Sequence, residues 1–404
     1  MYLYRHMEVA LRKAVRQSKV VLLTGARQVG KSTSIREIFP EYEYITLDDE
    51  NDLRLAIEDR PLFFRDRSFP VVIDEIQYAG GLMRTVKQIV DKSTQKGQVI
   101  MTGSQSYELL SEASESLAGR ICVLEMSGLS CRELYAIDFF DHFMPTTEYR
   151  IKRGKMIKPY DDLWGKIHRG MMPELLDPER DWEWYYRDYV RTYLERDVRR
   201  IINVRDEMKF RSFLVAAAGR SGQLLVYEDL AKDVGVDVHT IKNWLSVLSA
   251  SGLIYIMHPY FNDHVKRMIK TPKIYMMDSG LLCYLLGWNS PETAKRGAMS
   301  GEIFESFVVS EILKSYMNAG RGTEKIYYYR DKEKREIDLV IEDGQRLYPI
   351  EIKKGATVSR DWIRNFSALA RIPDHEIGEG AVICQTEKAV PISETVYALP
   401  VEYI

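Results

Sequence analysis

The chain has 404 residues, of which 45% are hydrophobic and 29% are charged, and its formal net charge is -2. This length predicts two or three globular domains, and the near-neutral charge excludes a global basic field, so any nucleic acid would bind at local patches. The four cysteines have no paired spacing, which argues against a disulfide framework and a zinc site. No apolar run reaches the length of a membrane span, so a cytoplasmic protein with no membrane partner is expected.

The first motif that carries chemistry follows a short apolar run at residues 20–23. The sequence GARQVGKS (25–32) fits the pattern G-x-x-x-x-G-K-[ST] between a predicted strand and a predicted helix. Glycines let this backbone curl so that its N–H groups face phosphate oxygens, and the helix N-terminus adds positive potential. Lys31 is expected to reach the β- and γ-phosphates of ATP, and the Ser32 hydroxyl to bind Mg²⁺. The residues predicted to bind the nucleotide are Gly25, Ala26, Arg27, Gln28, Val29, Gly30, Lys31, Ser32 and Thr33.

Two carboxylates, Asp74 and Glu75, end the next apolar run at residues 71–73. A buried parallel strand would place them at the carboxyl edge of the sheet, where ligands bind. Asp74 is expected to hold Mg²⁺ through water, and Glu75 to polarise the water that attacks the γ-phosphate. A solvated acidic turn after a strand is the alternative interpretation. A further strand at 43–49 is predicted to complete the sheet.

With these motifs, the region 1–135 resembles an ATPase of the AAA class. Such proteins carry a polar sensor residue that links the γ-phosphate to the attacking water at the end of a strand, and in the strand at 98–106 either Ser104 or Thr102 fits. Arg120 is a candidate arginine finger, acting in cis or from a neighbouring subunit of a homo-oligomer. A surface arginine in a salt bridge is the alternative for Arg120.

Residues 136–215 are predicted to form a helical region. Between 181 and 202 the apolar and aromatic side chains recur every three or four residues, which is typical of a helix with one buried face. The opposite face mixes arginines with acidic residues, and this pattern favours a solvated surface over a contact with nucleotide or DNA. The outward arginines are Arg187, Arg191, Arg196, Arg199 and Arg200.

Residues 216–292 have the pattern of a winged helix-turn-helix. Two helical runs are separated at Gly235, and Gly252 ends the second run before a strand. The second helix of such a fold can enter the major groove of DNA, and the basic run KRMIK (266–270) could contact the DNA backbone. A winged helix used only for packing between domains is the alternative. The residues expected to face outward on the second helix are His239, Lys242 and Asn243.

The C-terminal stretch EIDLVIEDGQRLYPIEIK is predicted to form a β-hairpin that turns at Asp343-Gly344. Alternation of apolar with charged residues predicts that each strand is buried on one face. A symmetric turn at this dipeptide places Asp338 across from Pro349, so that Glu351 is the diagonal neighbour of Asp338 on the same face. Two carboxylates are therefore expected to share one patch.

Lys353, the next residue along that face, would add an ammonium group to the two carboxylates. Asp338 and Glu351 are ligands of the kind that Mg²⁺ prefers. A lysine beside such an ion can orient the attacking water or stabilise charge on a phosphate oxygen, which is the chemistry of phosphodiester hydrolysis. An exposed ion pair between Lys353 and the carboxylates is the alternative.

A helix predicted at 301–316 and a strand at 325–330 precede this hairpin. This order of elements resembles nucleases of the PD-(D/E)XK type. The helix carries three glutamates, Glu302, Glu305 and Glu311. In that resemblance Glu305 best matches the helix position that completes the metal shell beside Asp338 and Glu351, and solvated side chains are the alternative for Glu302 and Glu311. The proline that gives the family its name is missing, because Asp338 follows Ile337.

The whole chain resembles a widespread bacterial and archaeal family of AAA ATPases that end in a domain of unknown function. Besides the motifs above, RGMMPELL (169–176) and TYLERDV (192–198) carry this resemblance. It implies a multidomain α/β protein with four parts. These are an AAA-type P-loop core with a parallel sheet (1–135), a helical lid region (136–215), a winged helix-turn-helix (216–292) and a PD-(D/E)XK nuclease-like domain (293–404).

Taken together, these patterns predict an enzyme that binds and hydrolyses ATP with Mg²⁺. In the leading hypothesis the nucleotide state controls a Mg²⁺-dependent nuclease-like domain that acts on DNA. In the alternative the last domain does not cut and only docks DNA or protein. A motor that remodels proteins is a third possibility.

Overall fold

The computed structural model describes residues 2–104, 107–194, 207–261 and 271–404. The run KRMIK at 266–270 and the predicted outward residues Arg196, Arg199 and Arg200 lie outside these ranges. The chain divides into two compact units. The first comprises Met1–Leu129 with the short pieces Ala250–Gly252 and Met317–Arg321, and the second comprises Ser130–Ser249, Leu253–Tyr316 and Gly322–Ile404.

The first unit is built on a five-stranded parallel sheet with the order β2-β3-β4-β1-β5. Its strands are β1 (Val20–Thr24), β2 (Glu43–Thr46), β3 (Val71–Asp74), β4 (Val99–Thr102) and β5 (Ile121–Glu125). Its helices are α1 (Met7–Gln17), α2 (Lys31–Ile38), α3 (Glu50–Glu58), α4 (Arg60–Arg65), α5 (Leu82–Asp91) and α6 (Tyr107–Leu117), and a 3₁₀ turn covers Ile76–Ala79.

The sequence predictions for this sheet are confirmed. Strands β1, β3 and β4 are buried at every residue, because a parallel sheet is covered on both faces and its strands are therefore apolar throughout. Strand β4 lies between β1 and β3 in the sheet. All five strands are parallel, so the phosphate-loop sequence after β1 and the carboxylates at the end of β3 lie at the same carboxyl edge.

The second unit begins with a helical region. Its helices are α7 (Cys131–Leu134), α8 (Thr147–Gly154), α9 (Leu163–Arg169), α10 (Trp182–Asp188), α11 (Glu207–Ala218), α12 (Tyr227–Val234), α13 (Val238–Ala250), α14 (Ser279–Leu285), α15 (Pro291–Arg296) and α16 (Ser300–Asn318). Shorter helical turns cover Pro173–Leu176, Arg360–Ile363, Phe366–Arg371 and Val401–Tyr403, and a π-helical stretch at Tyr189–Leu194 follows α10. A three-stranded antiparallel sheet contains β6 (Gln223–Leu224), β7 (Ile254–Met257) and β8 (Lys273–Met276).

The aromatic stripe predicted in the helical region is buried at Tyr185, Tyr186 and Tyr189, as expected of a core-facing side. The stretch is not one continuous α-helix, however, because it changes to π-helix at Tyr189. The Thr192 hydroxyl donates to the carbonyl of Asp188 at 2.6 Å, and such a bond back to the preceding turn bends helices. The predicted break at Gly235 is confirmed, since Gly235 ends α12 with a left-handed φ of 71°.

A seven-stranded mixed sheet forms the C-terminal part of the second unit, with the order β14-β15-β13-β11-β10-β9 and β12 paired to β11. Its strands are β9 (Ile326–Arg330), β10 (Glu336–Asp343), β11 (Arg346–Lys353), β12 (Glu376–Ile377), β13 (Gly380–Cys384), β14 (Val390–Pro391) and β15 (Val396–Pro400). The predicted helix, strand and hairpin of this region are all present, as α16, β9 and β10–β11.

The predicted register of the hairpin is wrong. Pro349 pairs with Val340, and Leu339 pairs with Ile350, so continuation of this register puts Asp338 opposite Glu351. The turn is formed one residue later than predicted, because Asp343 stays in the ladder and Gly344 takes the first loop position with a φ of 59°. The two carboxylates are therefore closer neighbours than the sequence implied.

The prediction that each hairpin strand has one exposed face is also wrong. Residues Ile337 to Ile341 of β10 and Leu347 to Ile352 of β11 are all buried. Both strands lie inside a sheet with neighbours on each side, and the charged residues Asp338 and Glu351 are buried. None of the helices in the described part of the chain is long and apolar enough to cross a membrane.

The start of α3 offers a test of local stability with a matched control. The carboxylate of Asp49 accepts the N–H groups of Asn51 at 2.9 Å and Asp52 at 3.1 Å, which is an N-cap. Replacement of Asp49 by Ala should cost about 1 kcal/mol and speed amide exchange in α3 roughly fivefold. Asp48→Ala removes the adjacent carboxylate without removing the cap. Equal exchange rates in the two variants, measured by mass spectrometry, would contradict the assignment.

Candidate functional site

The loop after β1 has the backbone that the motif requires. Gly25 has a φ of 139°, and a Cβ atom on it would lie 1.9 Å from the carbonyl oxygen of Met126, so no other residue fits there. Gln28 and Gly30 also have positive φ values, 61° and 95°. Gly30 is the N-cap residue of α2, whose first N–H groups have no partner within the helix and are available to phosphate oxygens.

Lys31 is buried at the start of α2, with 7% of its surface exposed. Its ammonium group donates to the carbonyl oxygens of Gly25 at 3.0 Å and Ala26 at 2.7 Å, so the side chain folds back over the loop. Burial lowers the pKa of Lys31 to about 8, although Glu75 and Asp74 nearby favour its charged form. A cation held inside the loop in this way is suited to receive phosphate.

Asp74 is the point where three strands and the loop meet. Its Oδ1 atom accepts hydrogen bonds from the Ser32 hydroxyl at 3.0 Å and from the hydroxyl of Thr102, at the end of β4. Its Oδ2 atom accepts a hydrogen bond from the hydroxyl of Tyr44, on β2. Burial, with a smaller contribution from Asp74, raises the pKa of Tyr44 to about 12, so this hydroxyl stays protonated and donates. All three of these hydrogen-bond donors to Asp74 are neutral hydroxyl groups.

Glu75, the residue predicted to polarise water, follows Asp74 in a left-handed conformation with φ 57°. Non-glycine residues rarely adopt this region, and strain of this kind is concentrated at functional sites. The side chain of Gln77 donates to the Glu75 carboxylate. The geometry thus holds Glu75 beside Asp74 at the carboxyl edge of the sheet.

The two sensor candidates have different surroundings. Thr102 is fully buried and contacts Asp74, whereas Ser104 lies two residues beyond β4 and is partly exposed. Either residue is at the correct edge of the sheet, and the sensor role of Ser104 stays a prediction.

Arg120 lies where the parallel strands begin, at the end of the sheet opposite the phosphate loop. The N–H group of Val20, at the start of β1, donates to the Arg120 carbonyl at 3.1 Å, and β1 extends about 13 Å from there to the phosphate loop. The guanidinium forms an exposed ion pair with Asp91 at 2.5 Å. The predicted action in cis is therefore wrong, because Arg120 and the loop lie at opposite ends of β1. Action on a neighbouring subunit stays a prediction.

Four C-terminal residues singled out by the sequence (Glu305, Asp338, Glu351 and Lys353) lie with Lys273 and Glu336 in a second cluster, which we call the acid–lysine cluster. Lys353 brings Asp338 and Glu351 together, because its ammonium lies 2.6 Å from Glu351 Oε1 and 3.5 Å from Asp338 Oδ2. The N–H group of Ile352 also donates to Asp338, at 2.8 Å. Unlike an exposed surface pair, Asp338 is 8% and Glu351 is 7% exposed.

Glu305 is held by residues that the sequence did not indicate. Its Oε1 atom accepts a hydrogen bond from the Tyr275 hydroxyl at 2.8 Å and lies 3.4 Å from the ammonium of Lys273. Lys273 is 3% exposed and also contacts Glu336 at 2.6 Å. Burial opposes the charge of Lys273, yet the surrounding acidic groups outweigh it and raise the pKa of this lysine well above its usual value.

One atom of the acid–lysine cluster is unsatisfied. Oε2 of Glu351 is buried and has no hydrogen-bond partner in the described part of the protein. Burial raises the pKa of Glu351, and the adjacent Asp338 raises it further while Lys353 opposes the shift. Burial raises the pKa of Glu305 as well. Within residues 2–104, 107–194, 207–261 and 271–404, no three His, Cys, Asp or Glu side chains form a group suited to hold a metal ion.

Sequence reasoning missed Tyr44, Lys273 and Tyr275. Tyr44 reaches Asp74 only because β2 lies next to β3, and no local motif marks it. Lys273 and Tyr275 belong to β8, outside the hairpin and its preceding helix. A lysine at the start of the apolar run KIYMM was the available signal, since such a residue needs a charged partner when the strand is buried.

Family models match three parts of the chain. One described as an AAA domain matches residues 17–135, and two described as domains of unknown function, DUF8612 and DUF4143, match residues 160–292 and 300–404. The parallel sheet, the phosphate loop and this match define the first unit as an AAA domain, and the chain is an AAA-type P-loop ATPase. The nuclease resemblance of the last region stays a prediction.

Uncharacterised proteins of Mycobacterium tuberculosis (Rv2008c) and Mycobacterium bovis (Mb2031c) are each 30% identical to this chain over 406 residues, covering 99% of the chain and 84% of the relative. The chain belongs to the family of these proteins. Among solved structures, a Walker-type ATPase of Pyrococcus abyssi is 15% identical with a TM-score of 0.44, covering 69% of this chain and 94% of that one.

A signal transduction ATPase with a tetratricopeptide repeat sensor from Pyrococcus horikoshii is 14% identical to this chain, with a TM-score of 0.28. The match covers 79% of this chain and 47% of that one. Both TM-scores lie below 0.5, so neither solved structure defines the architecture of this protein.

The close approach at Gly25 can be tested directly. Gly25→Ala would drive a Cβ atom into the Met126 carbonyl and strain a backbone with φ 139°, at a cost of about 1–3 kcal/mol, and should abolish ATP binding. Gly119→Ala is the control, because Gly119 also has a positive φ but has open space around it. Isothermal titration with ATP provides the measurement. Unchanged ATP affinity in Gly25→Ala would contradict the proposed path of the loop.

Proposed function

We propose that the chain hydrolyses ATP at the carboxyl edge of the parallel sheet. The observation that carries the proposal is the hydrogen bond of 3.0 Å between Ser32, in the phosphate loop, and Asp74, at the end of β3. This contact joins the two halves of a nucleotide site that lie 42 residues apart in sequence. Lys31, buried beside them, supplies the positive charge that balances β- and γ-phosphate oxygens.

The donor set at this edge fits Mg²⁺. The Ser32 hydroxyl and the Asp74 carboxylate are hard oxygen ligands, and the further hydroxyls on Asp74 orient it in the manner of outer-shell partners. Ser32 and Asp74 would hold Mg²⁺, which would supply positive charge to offset the negative charge that develops on the phosphate oxygens. Glu75 accepts a hydrogen bond from the attacking water and aligns it with the γ-phosphate.

Loss of the loop lysine tests this assignment. Lys31→Ala removes the cation that stabilises the transferring phosphoryl group and should lower ATP turnover by about 100-fold or more, to background. Phosphate release under steady-state conditions is the measurement, with Lys13→Ala on α1 as a charge-matched control. Turnover at the parental rate in Lys31→Ala would rule out this site.

A second substitution separates binding from chemistry at the same site. Glu75→Gln keeps the size and hydrogen-bonding capacity of the side chain but removes the negative charge that activates water. This variant should bind ATP with parental affinity while turnover is lost. Parental turnover in Glu75→Gln would transfer the role of the base to another residue.

The acid–lysine cluster supports a second activity, the Mg²⁺-dependent cleavage of DNA phosphodiester bonds. Asp338, Glu351 and Lys353 meet within 3.5 Å, and the buried Oε2 atom of Glu351 lacks a partner, as expected of a ligand atom that awaits a cation. Two carboxylates fit Mg²⁺, which keeps several waters. Lys353 would orient the attacking water, whereas Glu305, which is held by Tyr275 and Lys273, forms no three-carboxylate metal group with Asp338 and Glu351 in the described part of the chain. The ATPase unit controls this activity through its nucleotide state.

Cleavage assays with matched variants test the second activity. Plasmid and single-stranded DNA would be incubated with Mg²⁺ or Mn²⁺, with and without ATP, beside Glu351→Gln and the surface control Glu387→Gln. Glu351→Gln should lower cleavage by about 100-fold or more, because removal of a ligand charge weakens the transition-state stabilisation.

Three outcomes separate the hypotheses for the C-terminal domain. Equal nicking by the parent and Glu351→Gln would identify a contaminating nuclease and remove the proposal. Absence of cleavage together with retention of labelled DNA or protein would favour a docking role. ATP turnover that responds to a protein partner but not to DNA would indicate protein remodelling.

A further inference from the structure

Arg5, which the nucleotide motifs do not include, is buried against the phosphate loop. Only 3% of its surface is exposed. Its Nη1 atom donates to the carbonyl of Val29 at 2.7 Å, and its Nη2 atom donates to the carbonyls of Ser127 at 2.8 Å and Gly128 at 3.2 Å. One guanidinium therefore joins the loop to the segment that follows β5.

The backbone of Arg5 is fixed as well. The carboxylate of Glu8, in the first turn of α1, accepts the Arg5 N–H at 3.2 Å and the Tyr2 hydroxyl at 2.7 Å. All of these groups belong to the first unit. The residues before α1 thus form an ordered segment, and the side chain of Arg5 in this segment contacts the backbone of the phosphate loop.

The contact with Val29 determines which way the next amide points. In a trans peptide the C=O of Val29 and the N–H of Gly30 point in opposite directions. Arg5 holds the Val29 carbonyl toward its guanidinium, so the Gly30 N–H is directed away from this cation, and a phosphate-binding loop needs such a free donor. The guanidinium lies close to Gly30 itself, because a Cβ atom there would be 3.7 Å from Nη1.

We infer that Arg5 is a positioning residue for ATP, which holds the peptide between Val29 and Gly30 in the orientation that binds phosphate. The inference rests on the ATP site proposed above. Arg5 acts through the backbone, so its loss should weaken binding of the triphosphate more than it changes the chemical step. A lysine cannot replace it, because one ammonium cannot span three carbonyls as a planar guanidinium does.

Binding and kinetics provide the first test. Arg5→Ala and Arg5→Lys should each raise the Kd for ATP and the KM by about tenfold or more, with a smaller change in kcat, since charge-assisted hydrogen bonds are lost. Millimolar guanidinium should partly restore the affinity of Arg5→Ala for ATP and should not raise the affinity of the parent. Arg67→Ala, which removes a guanidinium paired with Glu43 and Asp52, should leave both constants unchanged.

Amide exchange without nucleotide provides the second test and decides the inference even if the parent binds no ATP. Arg5→Ala should speed exchange in a peptide that covers residues 25–33, with the exchange rates of β3 and α5 unchanged.

Two results for Arg5→Ala would each overturn the inference: an amide exchange rate in the loop equal to that of the parent, or a Kd for ATP equal to that of the parent. Faster exchange throughout the first unit would also overturn it, because Arg5 would then only stabilise the unit. A parent that binds no ATP would instead refute the proposed function.

Discussion

The carboxylate of Asp74 is the contact on which the nucleotide site depends. A buried ionised group is costly unless it is hydrogen-bonded, and here Ser32, Tyr44 and Thr102 supply hydroxyl donors. Each donor comes from a different element, so the carboxylate can be satisfied only when β2, β4 and the phosphate loop are in place beside β3. The same interaction therefore links the order of the parallel sheet to the chemistry at its edge.

The two clusters satisfy their carboxylates by different means. Around Asp74 the hydrogen-bond donors are neutral, and this arrangement leaves the negative charge available to a cation. The acid–lysine cluster contains four carboxylates and two ammonium groups, so it carries its own counter-charge, and burial still raises the pKa of Glu305 and Glu351. When all six groups are ionised, the cluster has a net charge of two negative units, which one divalent cation would neutralise.

The sequence was most informative where a function needs residues close together along the chain. The loop at 25–32 and the strand end at Asp74 could be predicted from local patterns, and so could the strands of the parallel sheet. The hairpin register could not, because Asp343-Gly344 fits a turn yet Asp343 stays paired with Arg346. Contacts such as those of Lys273 depend on strand order and tertiary packing, which no spacing in the sequence encodes.

Lys273 has a consequence for how this protein is divided into modules. The model of the last domain of unknown function covers residues 300–404, whereas Lys273 and Tyr275, which contact Glu305, lie before it on β8. The electrostatic unit is thus larger than the segment that sequence similarity recognises. A fragment cut at residue 300 would keep the four acids, of which Asp338 and Glu351 are buried, and would lose one of the two compensating cations. Exchange of this segment between homologous chains must therefore carry the β8 strand with it.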